Sequence, residues 1–156
     1  MRNKRGEGYI APCVMVVAIC MIIAVLVTMV SAVSSINITR RNSKIVLDSF
    51  VIENSILIYD TLKNGYDYTE YFDEEVYIDN LCDFCTFAKG EEFLYAYTDE
   101  GNLKYKISRP VLSFSSDSQL KLIANYTVYY PIDFNGIVID MAEIPIKIES
   151  KFKEKF

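Results

Sequence analysis

An uninterrupted apolar segment near the start of the chain constrains the fold more than any other feature. The run APCVMVVAICMIIAVLVTMVSAV covers 23 residues from Ala11 to Val33, and no charged residue occurs between Gly8 and Thr39. An α-helix of that length extends about 34 Å at 1.5 Å per residue, enough to cross a bilayer hydrocarbon core of about 30 Å. The segment therefore predicts one transmembrane helix over residues 11–33.

Two alternatives compete with a membrane anchor. A buried core helix would need protein around all its faces, which the remaining residues could hardly supply. A cleaved signal peptide is the stronger alternative, because MRNKR forms a basic head and Val30-Ser31-Ala32 offers small residues for cleavage at Ala32. The apolar segment is, however, longer than the about 7–15 residues usual in signal peptides. We therefore favour a retained anchor.

Basic residues flank the apolar segment almost equally on both sides, so the positive-inside rule gives little preference for either orientation. We expect the short basic head, residues 1–10, to stay in the cytoplasm. This orientation makes the chain a single-pass protein of the cytoplasmic membrane with its C-terminal domain outside the cytoplasm. The flanking bases are Arg2, Lys4 and Arg5 before the segment, and Arg40, Arg41 and Lys44 after it.

The helical pattern continues beyond the apolar segment. Ile45, Ile52 and Ile56 recur at helical spacing, and a second apolar row with Val46 and Phe50 lies beside them. We expect one helix over residues 12–63, ended by Asn-Gly at 64–65, with 34–64 as an amphipathic extension. The row of Ile45, Ile52 and Ile56 is predicted to dock the domain that follows.

The remainder of the chain, residues 65–156, predicts a small antiparallel sheet. EEFLYAYTDE and LKYKISRPVLSF alternate apolar and polar residues around the turn Glu100-Gly101-Asn102. QLKLIANYTVYY and EIPIKIESKF form a second pair around the predicted loop PIDFNG, and Pro145 suggests an edge strand or a strand start. The predicted fold class is α+β, with a long N-terminal helix and a small antiparallel sheet.

The start KRGEGYIAPCVMVVAICMIIAVLVTMV and the closing strands NYTVYYPIDF and EIPIKIESKF together resemble the pilin and pseudopilin plan. The closest likeness is to TadE-like proteins of the tight-adherence pilus apparatus. The resemblance implies a noncatalytic membrane subunit that primes or stabilises assembly of a surface pilus or secretion apparatus. It also implies helix packing beside other pilin-like or assembly subunits within the lipid bilayer. We expect Val16, Ile19, Ile23 and Val27 to form part of that lipid or partner face.

The chain departs from the prepilin pattern at its start. Prepilins are cut after a Gly and carry Glu at the fifth position of the mature chain. Cleavage after Gly6 or Gly8 would instead place Ala11 or Cys13 at that position. Processing at Gly6 or Gly8 and retention as an uncut anchor both stay open.

Cys82 and Cys85 form a CxxC pair in the predicted outer domain. The neighbouring Asp79 and Asp83 would raise a thiol pKa, which disfavours a redox centre. A zinc site would need further ligands, and the sequence has no His and no second CxxC. We expect a short structural disulfide. Cys13 and Cys20 lie within the apolar segment and are predicted to be small apolar helix residues.

The sequence gives no support for catalysis. Without His, the usual nucleophile and base pairs cannot form, and the acidic run YDYTEYFDEEVYID does not match a calcium-binding loop. We predict a solvated acidic loop there, and no enzyme, catalytic residue, cofactor or metal. Acids outnumber bases after Lys44, so nucleic acid is not an expected partner, and neither is a small-molecule substrate. The alternative function is a membrane-anchored or secreted binding module with a Tyr-rich surface.

Overall fold

The computed structural model describes residues 7–64, 72–115, 121–134 and 137–152. These residues form helices followed by a single antiparallel sheet, so the chain has the predicted α+β fold. The chain divides into two compact units, Met1–Asn37 and Ile38–Phe156. The first unit contains the apolar segment, and the second contains the sheet together with the helical residues from Ile38 onward.

Helix α1 spans Glu7–Glu53 and helix α2 spans Ser55–Asn64. The expected single helix is thus interrupted at Asn54. The side-chain amide of Asn54 donates to the carbonyl oxygen of Phe50 at 2.9 Å, and the backbone N–H of Asn54 donates to the same oxygen at 3.1 Å. The Asn54 side chain thus adds a second donor to this carbonyl oxygen, beside the regular helical bond of the backbone. Helix α2 ends at Asn64, as the Asn-Gly signal predicted, and residue 65 lies outside the described residues.

Helix α3, Glu74–Cys85, occupies much of the acidic run that was expected to be a loop. Asp73 caps its N-terminus, since its carboxylate accepts the backbone N–H of Glu75 at 2.9 Å. Acids in a first helical turn are favoured by the helix dipole. The loop prediction is therefore wrong from Glu74 onward, and its part over residues 66–71 lies outside the described residues.

The sheet contains six strands among the described residues. β1, β2 and β3 lead in that order to β5, β4 pairs with the same edge of β5 as β3, and β6 pairs with the other edge. All neighbouring strands are antiparallel. The strands are β1 Ala88–Lys89, β2 Phe93–Tyr97, β3 Leu103–Ser108, β4 Val111–Ser115, β5 Lys121–Phe134 and β6 Ile137–Lys151.

Strands β3 and β4 both pair with the same edge of β5. Ile107 lies opposite Val128 and Val111 lies opposite Asn125, so one extra residue is accommodated between the two pairings. The hydroxyl of Ser108 accepts the backbone N–H of Thr127 at 2.9 Å, which satisfies a donor at this irregularity. A side chain thus replaces a ladder bond where the register shifts.

Strands β5 and β6 are longer than expected. The predicted loop PIDFNG is wrong over residues 131–134, because β5 continues through Phe134, which lies opposite Ile137. Residues 135 and 136 lie outside the described residues. Among the described strands β6 pairs only with β5, so the edge position predicted for Pro145 is confirmed. Proline fits such an edge because it has no N–H to donate to a further strand.

The core lies between one face of the sheet and the helices of the second unit. Alternate strand residues are buried on this face, as the period of two requires. Helix α1 contributes a buried row, and helix α3 contributes Tyr77, Ile78 and Leu81. The buried α1 residues from Ile38 onward are Thr39, Ser43, Val46, Leu47, Phe50 and Val51.

The predicted docking row is wrong. Ile45, Ile52 and Ile56 are 41%, 71% and 76% exposed, whereas the adjoining row with Val46 and Phe50 is buried. Both rows have the same helical period, so periodicity could not distinguish them. Which of the two rows packs on the sheet depends on Ser43 and Thr39. These polar residues lie on the buried row and pair with tyrosines of the sheet.

Candidate functional site

The apolar part of α1 is a candidate membrane-binding site. From Ile10 onward the helix is long and apolar enough to cross a membrane, with a mean hydropathy of 3.1 in its best window. A signal sequence would meet the same criterion. The predicted packing residues Val16, Ile19, Ile23 and Val27 are all exposed. They lie on one helix face, available to lipid or to a partner helix.

The structure leaves the processing prediction untested. Gly6 lies outside the described residues, and Gly8 lies in the first turn of the described helix. Cys13 and Cys20 are exposed thiols on the same helix, at positions surrounded in sequence by aliphatic residues.

A set of hydroxyl groups attaches α1 to the sheet within the second unit. Thr39 and Tyr105 share a hydrogen bond of 2.7 Å, and Tyr126 donates to the hydroxyl oxygen of Ser43 at 3.0 Å. Tyr77 of α3 donates to the backbone carbonyl of Ser43 at 3.4 Å. All of these residues are buried. Each tyrosine therefore packs its ring in the core while its hydroxyl keeps a partner.

Burial keeps these tyrosines neutral. It raises the pKa of Tyr126 to about 12, and the hydrogen bond to Ser43 opposes that shift only in part. Burial also raises the pKa values of Tyr77 and Tyr105. The neutral phenols keep their hydrogen bonds to α1, so this cluster positions the helix on the sheet.

Further along the helix, two polar contacts join α1 to β6. Asp48 accepts a hydrogen bond of 2.6 Å from the hydroxyl of Ser150, and Lys44 donates to the backbone carbonyl of Glu149 at 2.8 Å. Lys44 also pairs with Asp48 at 3.2 Å. These bonds fix the helix against the edge strand of the sheet.

A groove of about 760 Å³ lies between this part of the helix and the end of β6. Val51, Ile52 and Phe152 supply its apolar lining, and Lys44 and Lys151 stand among its polar residues. The groove adjoins the exposed row of Ile45, Ile52 and Ile56. Row and groove together form an exposed apolar surface on the helix side of the second unit, suited to protein contact.

The CxxC pair lies at the C-terminal end of α3, which Thr86 closes in the left-handed conformation. Both sulfurs are free thiols in this structure, so the disulfide stays a prediction. Burial raises the pKa of Cys82, and it raises the pKa of Cys85 to about 11. Reactive thiols are usually found at helix N-termini with depressed pKa values. This geometry opposes the redox hypothesis.

The acidic residues of α3 form ion pairs with the sheet. Glu75 pairs with Arg109 and Lys89, and Lys89 also pairs with Asp79. Within the described part of the chain, no group of three or more His, Cys, Asp or Glu residues could hold a metal ion. The structure thus gives the acids a role in attaching α3 to β1 and to Arg109 in the β3–β4 connection, which the sequence did not indicate.

An aromatic cluster covers part of the sheet face opposite the core. The ammonium group of Lys106 lies 4.0 Å from the ring centroid of Phe93 and 5.4 Å from that of Tyr129. Tyr95 and Tyr97 stack beside them with ring centroids 6.4 Å apart. Lys106 is thus held over aromatic rings by cation–π contacts. This cluster is the part of the second unit that best fits the Tyr-rich surface of the alternative function.

Sequence reasoning missed the hydroxyl contacts of α1 and the whole of α3. Asp73 followed by Glu74 and Glu75 is an N-terminal helix signal that could have located α3. No comparable signal marks Ser43 and Thr39, because their tyrosine partners are distant in sequence. The fold defines an α+β protein with one N-terminal helix of membrane-crossing length. No protein family, no curated protein and no solved structure matches the chain.

Proposed function

We propose that this chain is a noncatalytic, pilin-like membrane subunit that acts in assembly of a surface pilus or secretion apparatus. The proposal places residues 11–33 in the cytoplasmic membrane and the second unit outside the cytoplasm. The observation that carries it is the division of α1 into an exposed, charge-free apolar part and a part packed on a sheet. This combination corresponds to the TadE-like plan suggested by the sequence.

The exposed row of Ile45, Ile52 and Ile56 supports a role in protein contact. These side chains are not needed for the core, because the adjoining row fills it. Exposed isoleucines beside an apolar groove are costly in water unless another surface covers them. A helix of another pilin-like or assembly subunit has the apolar chemistry to cover this row. The surface is thus proposed as the contact between this subunit and its partners.

The proposal is tested by deleting the gene in its native host and counting surface fibres by electron microscopy. Loss of fibres, restored by the unaltered gene, is the expected result. A second strain carries Ile52→Asp with Ile56→Asp and should lose fibres while keeping normal amounts of the protein in the membrane. Val111→Asp is the matched control, since Val111 is also exposed but lies on β4. Unchanged fibre counts together with unchanged amounts of secreted protein after deletion would overturn the proposal.

The aromatic cluster of Phe93, Tyr95, Lys106 and Tyr129 favours a second candidate, an extracytoplasmic binding module. Half-buried aromatic rings beside an ammonium group offer stacking and hydrogen-bonding surfaces to a cell-wall component. This function predicts that cell-wall fragments raise the unfolding temperature of the full chain in detergent. Tyr95→Ala should remove that increase. Unfolding temperatures that do not respond to such fragments would exclude this candidate.

A further inference from the structure

Strands β5 and β6 extend beyond the rest of the sheet. Tyr129 is the last residue of β5 that pairs with β3, where it lies opposite Lys106. From Tyr130 to Phe134, β5 pairs among the described strands only with β6. Residues 130–134 and 137–142 therefore form a two-stranded projection, here named the β5–β6 arm. An isolated two-stranded ribbon is marginally stable in water, so such an arm normally gains stability from another surface.

The arm carries apolar residues on both faces. Ile132 is 50% exposed and Val138 is 55% exposed. Ile132 lies opposite Asp140, and Val138 lies opposite Asp133 after a register shift. Because Ile132 and Asp133 are consecutive residues of β5, Ile132 and Val138 lie on opposite faces of the arm. A solvated ribbon normally has at least one polar face. The arm therefore exposes one aliphatic side chain on each face, each of them opposite an aspartate.

Contacts within the second unit establish the direction of the arm. Residues of α1 that are closer to Ile38 form hydrogen bonds with sheet residues that are closer to the arm. The successive contacts are Asp48 with Ser150, Ser43 with Tyr126, and Thr39 with Tyr105.

The arm continues in the same direction past the level of Thr39. The ring of Tyr105, the partner of Thr39, stacks on Tyr130 with centroids 6.4 Å apart. From Tyr130 the strand continues to Phe134, a further advance of about 13 Å at 3.3 Å per residue. The end of the arm thus lies on the side of the second unit where Ile38 joins the preceding residues.

Because the proposed function places residues 11–33 in the membrane, chain connectivity keeps Ile38 within a short distance of it. Ile38 follows Val33, the last residue of the predicted span, by five positions. Even a fully extended chain covers at most about 18 Å over that length. We propose that the β5–β6 arm inserts Ile132 and Val138 into the interface of the membrane that holds the anchor. This inference rests on the membrane anchorage assumed in the proposed function.

The composition of the arm indicates how it would bind lipid. Residues 130–142 contain Asp133 and Asp140 and no Lys or Arg. Attraction to anionic headgroups therefore does not contribute, and insertion depends on apolar burial. Tyr129 and Tyr130 stand at the base of the arm, and tyrosine is enriched at membrane interfaces. The arm should thus enter zwitterionic bilayers without a requirement for anionic lipid.

Tryptophan fluorescence can test the insertion, because the chain contains no Trp. The full chain is reconstituted into phosphatidylcholine vesicles that contain lipids brominated either near the headgroup or near the end of the acyl chain. Three variants each carry one reporter: Val138→Trp in the arm, Val111→Trp on β4 and Val16→Trp in the anchor. Val111 is the matched control, since it is exposed to a similar extent but lies away from the arm. Ile132→Trp provides a second arm reporter should Val138→Trp fold poorly.

The expected result is quenching of the arm reporter by the shallow bromolipid, with emission at shorter wavelength than that of Val111→Trp. Val16→Trp should be quenched by the deep bromolipid. If the arm reporter is quenched no more than Val111→Trp while Val16→Trp is quenched, the insertion of the arm is overturned and the membrane anchor is retained. Absence of quenching at all three positions overturns the anchor as well. Arm emission that changes with protein concentration in detergent would assign the arm to a second copy of the chain and contradict lipid insertion.

Discussion

The hydroxyl of Tyr126 donates a 3.0 Å hydrogen bond to the hydroxyl oxygen of Ser43, and both residues are buried. This bond joins the central strand of the sheet to the helix that leads back toward the apolar segment. Ser43 is also the residue whose backbone carbonyl accepts the hydroxyl of Tyr77. Two secondary structure elements, β5 and α3, are therefore attached to one turn of α1.

The first prediction concerns this bond. Ser43→Ala leaves the Tyr126 hydroxyl buried without its partner and should lower the free energy of unfolding by about 1–3 kcal/mol. Tyr126→Phe removes the hydroxyl, so the double variant should lose less than the sum of the single variants. Urea unfolding of the full chain in detergent, followed by circular dichroism, measures each value. Strict additivity of the two changes would contradict the bond, and Tyr97→Phe, at an exposed tyrosine, is the control.

The second prediction compares the two apolar rows of the helix. Leu47→Ala should cost about 2–5 kcal/mol, because Leu47 is fully buried and its truncation leaves a cavity. Ile52→Ala removes an exposed side chain and should change stability by no more than about 0.5 kcal/mol. The same unfolding measurement applies. A larger loss for Ile52→Ala than for Leu47→Ala would mean that the row predicted from sequence docks the sheet after all.

The third prediction concerns alkaline pH. The folded pKa of Tyr126, about 12, exceeds the ordinary value of 10.0, so the folded state holds this proton more tightly than the unfolded state. The resulting stabilisation, roughly 2–3 kcal/mol, is complete below pH 10 and is lost as pH rises from 10 toward 12. Unfolding temperatures measured across this range should fall. The decline should be shallower in Tyr126→Phe, and an equally steep decline would contradict the assignment to Tyr126.

The fourth prediction concerns the CxxC pair. In a reduced Cys13→Ala, Cys20→Ala background, Cys82 and Cys85 should react slowly with iodoacetamide at neutral pH, because burial raises both thiol pKa values. Unfolding in urea should accelerate the reaction. Mass spectrometry of the timed samples counts the modified thiols. Rapid modification of the folded protein at neutral pH would instead favour a redox function.

Local sequence patterns were sufficient to predict most of the elements, but they did not predict α3, the full length of β5 or the contacts between elements. The apolar run from Ala11, the Asn-Gly helix stop and the alternating strands are local patterns, and they predicted the α+β order and the edge position of Pro145. The docking row could not be predicted, because it depends on Ser43 meeting Tyr126 across 83 positions of sequence. The end of the arm was assigned to a loop although Asn135-Gly136, a hairpin signal, follows an apolar run.

The central claim is that the apolar segment is retained as a membrane anchor. Its most direct test is the mass and N-terminal sequence of the protein recovered from membranes of its native host. A membrane-bound chain that still contains residues 11–33, starting at Met1 or just after Gly6 or Gly8, is the predicted result. A protein that starts at Val33 and is recovered outside the membrane fraction would contradict the claim, because the apolar segment would then be a cleaved signal peptide.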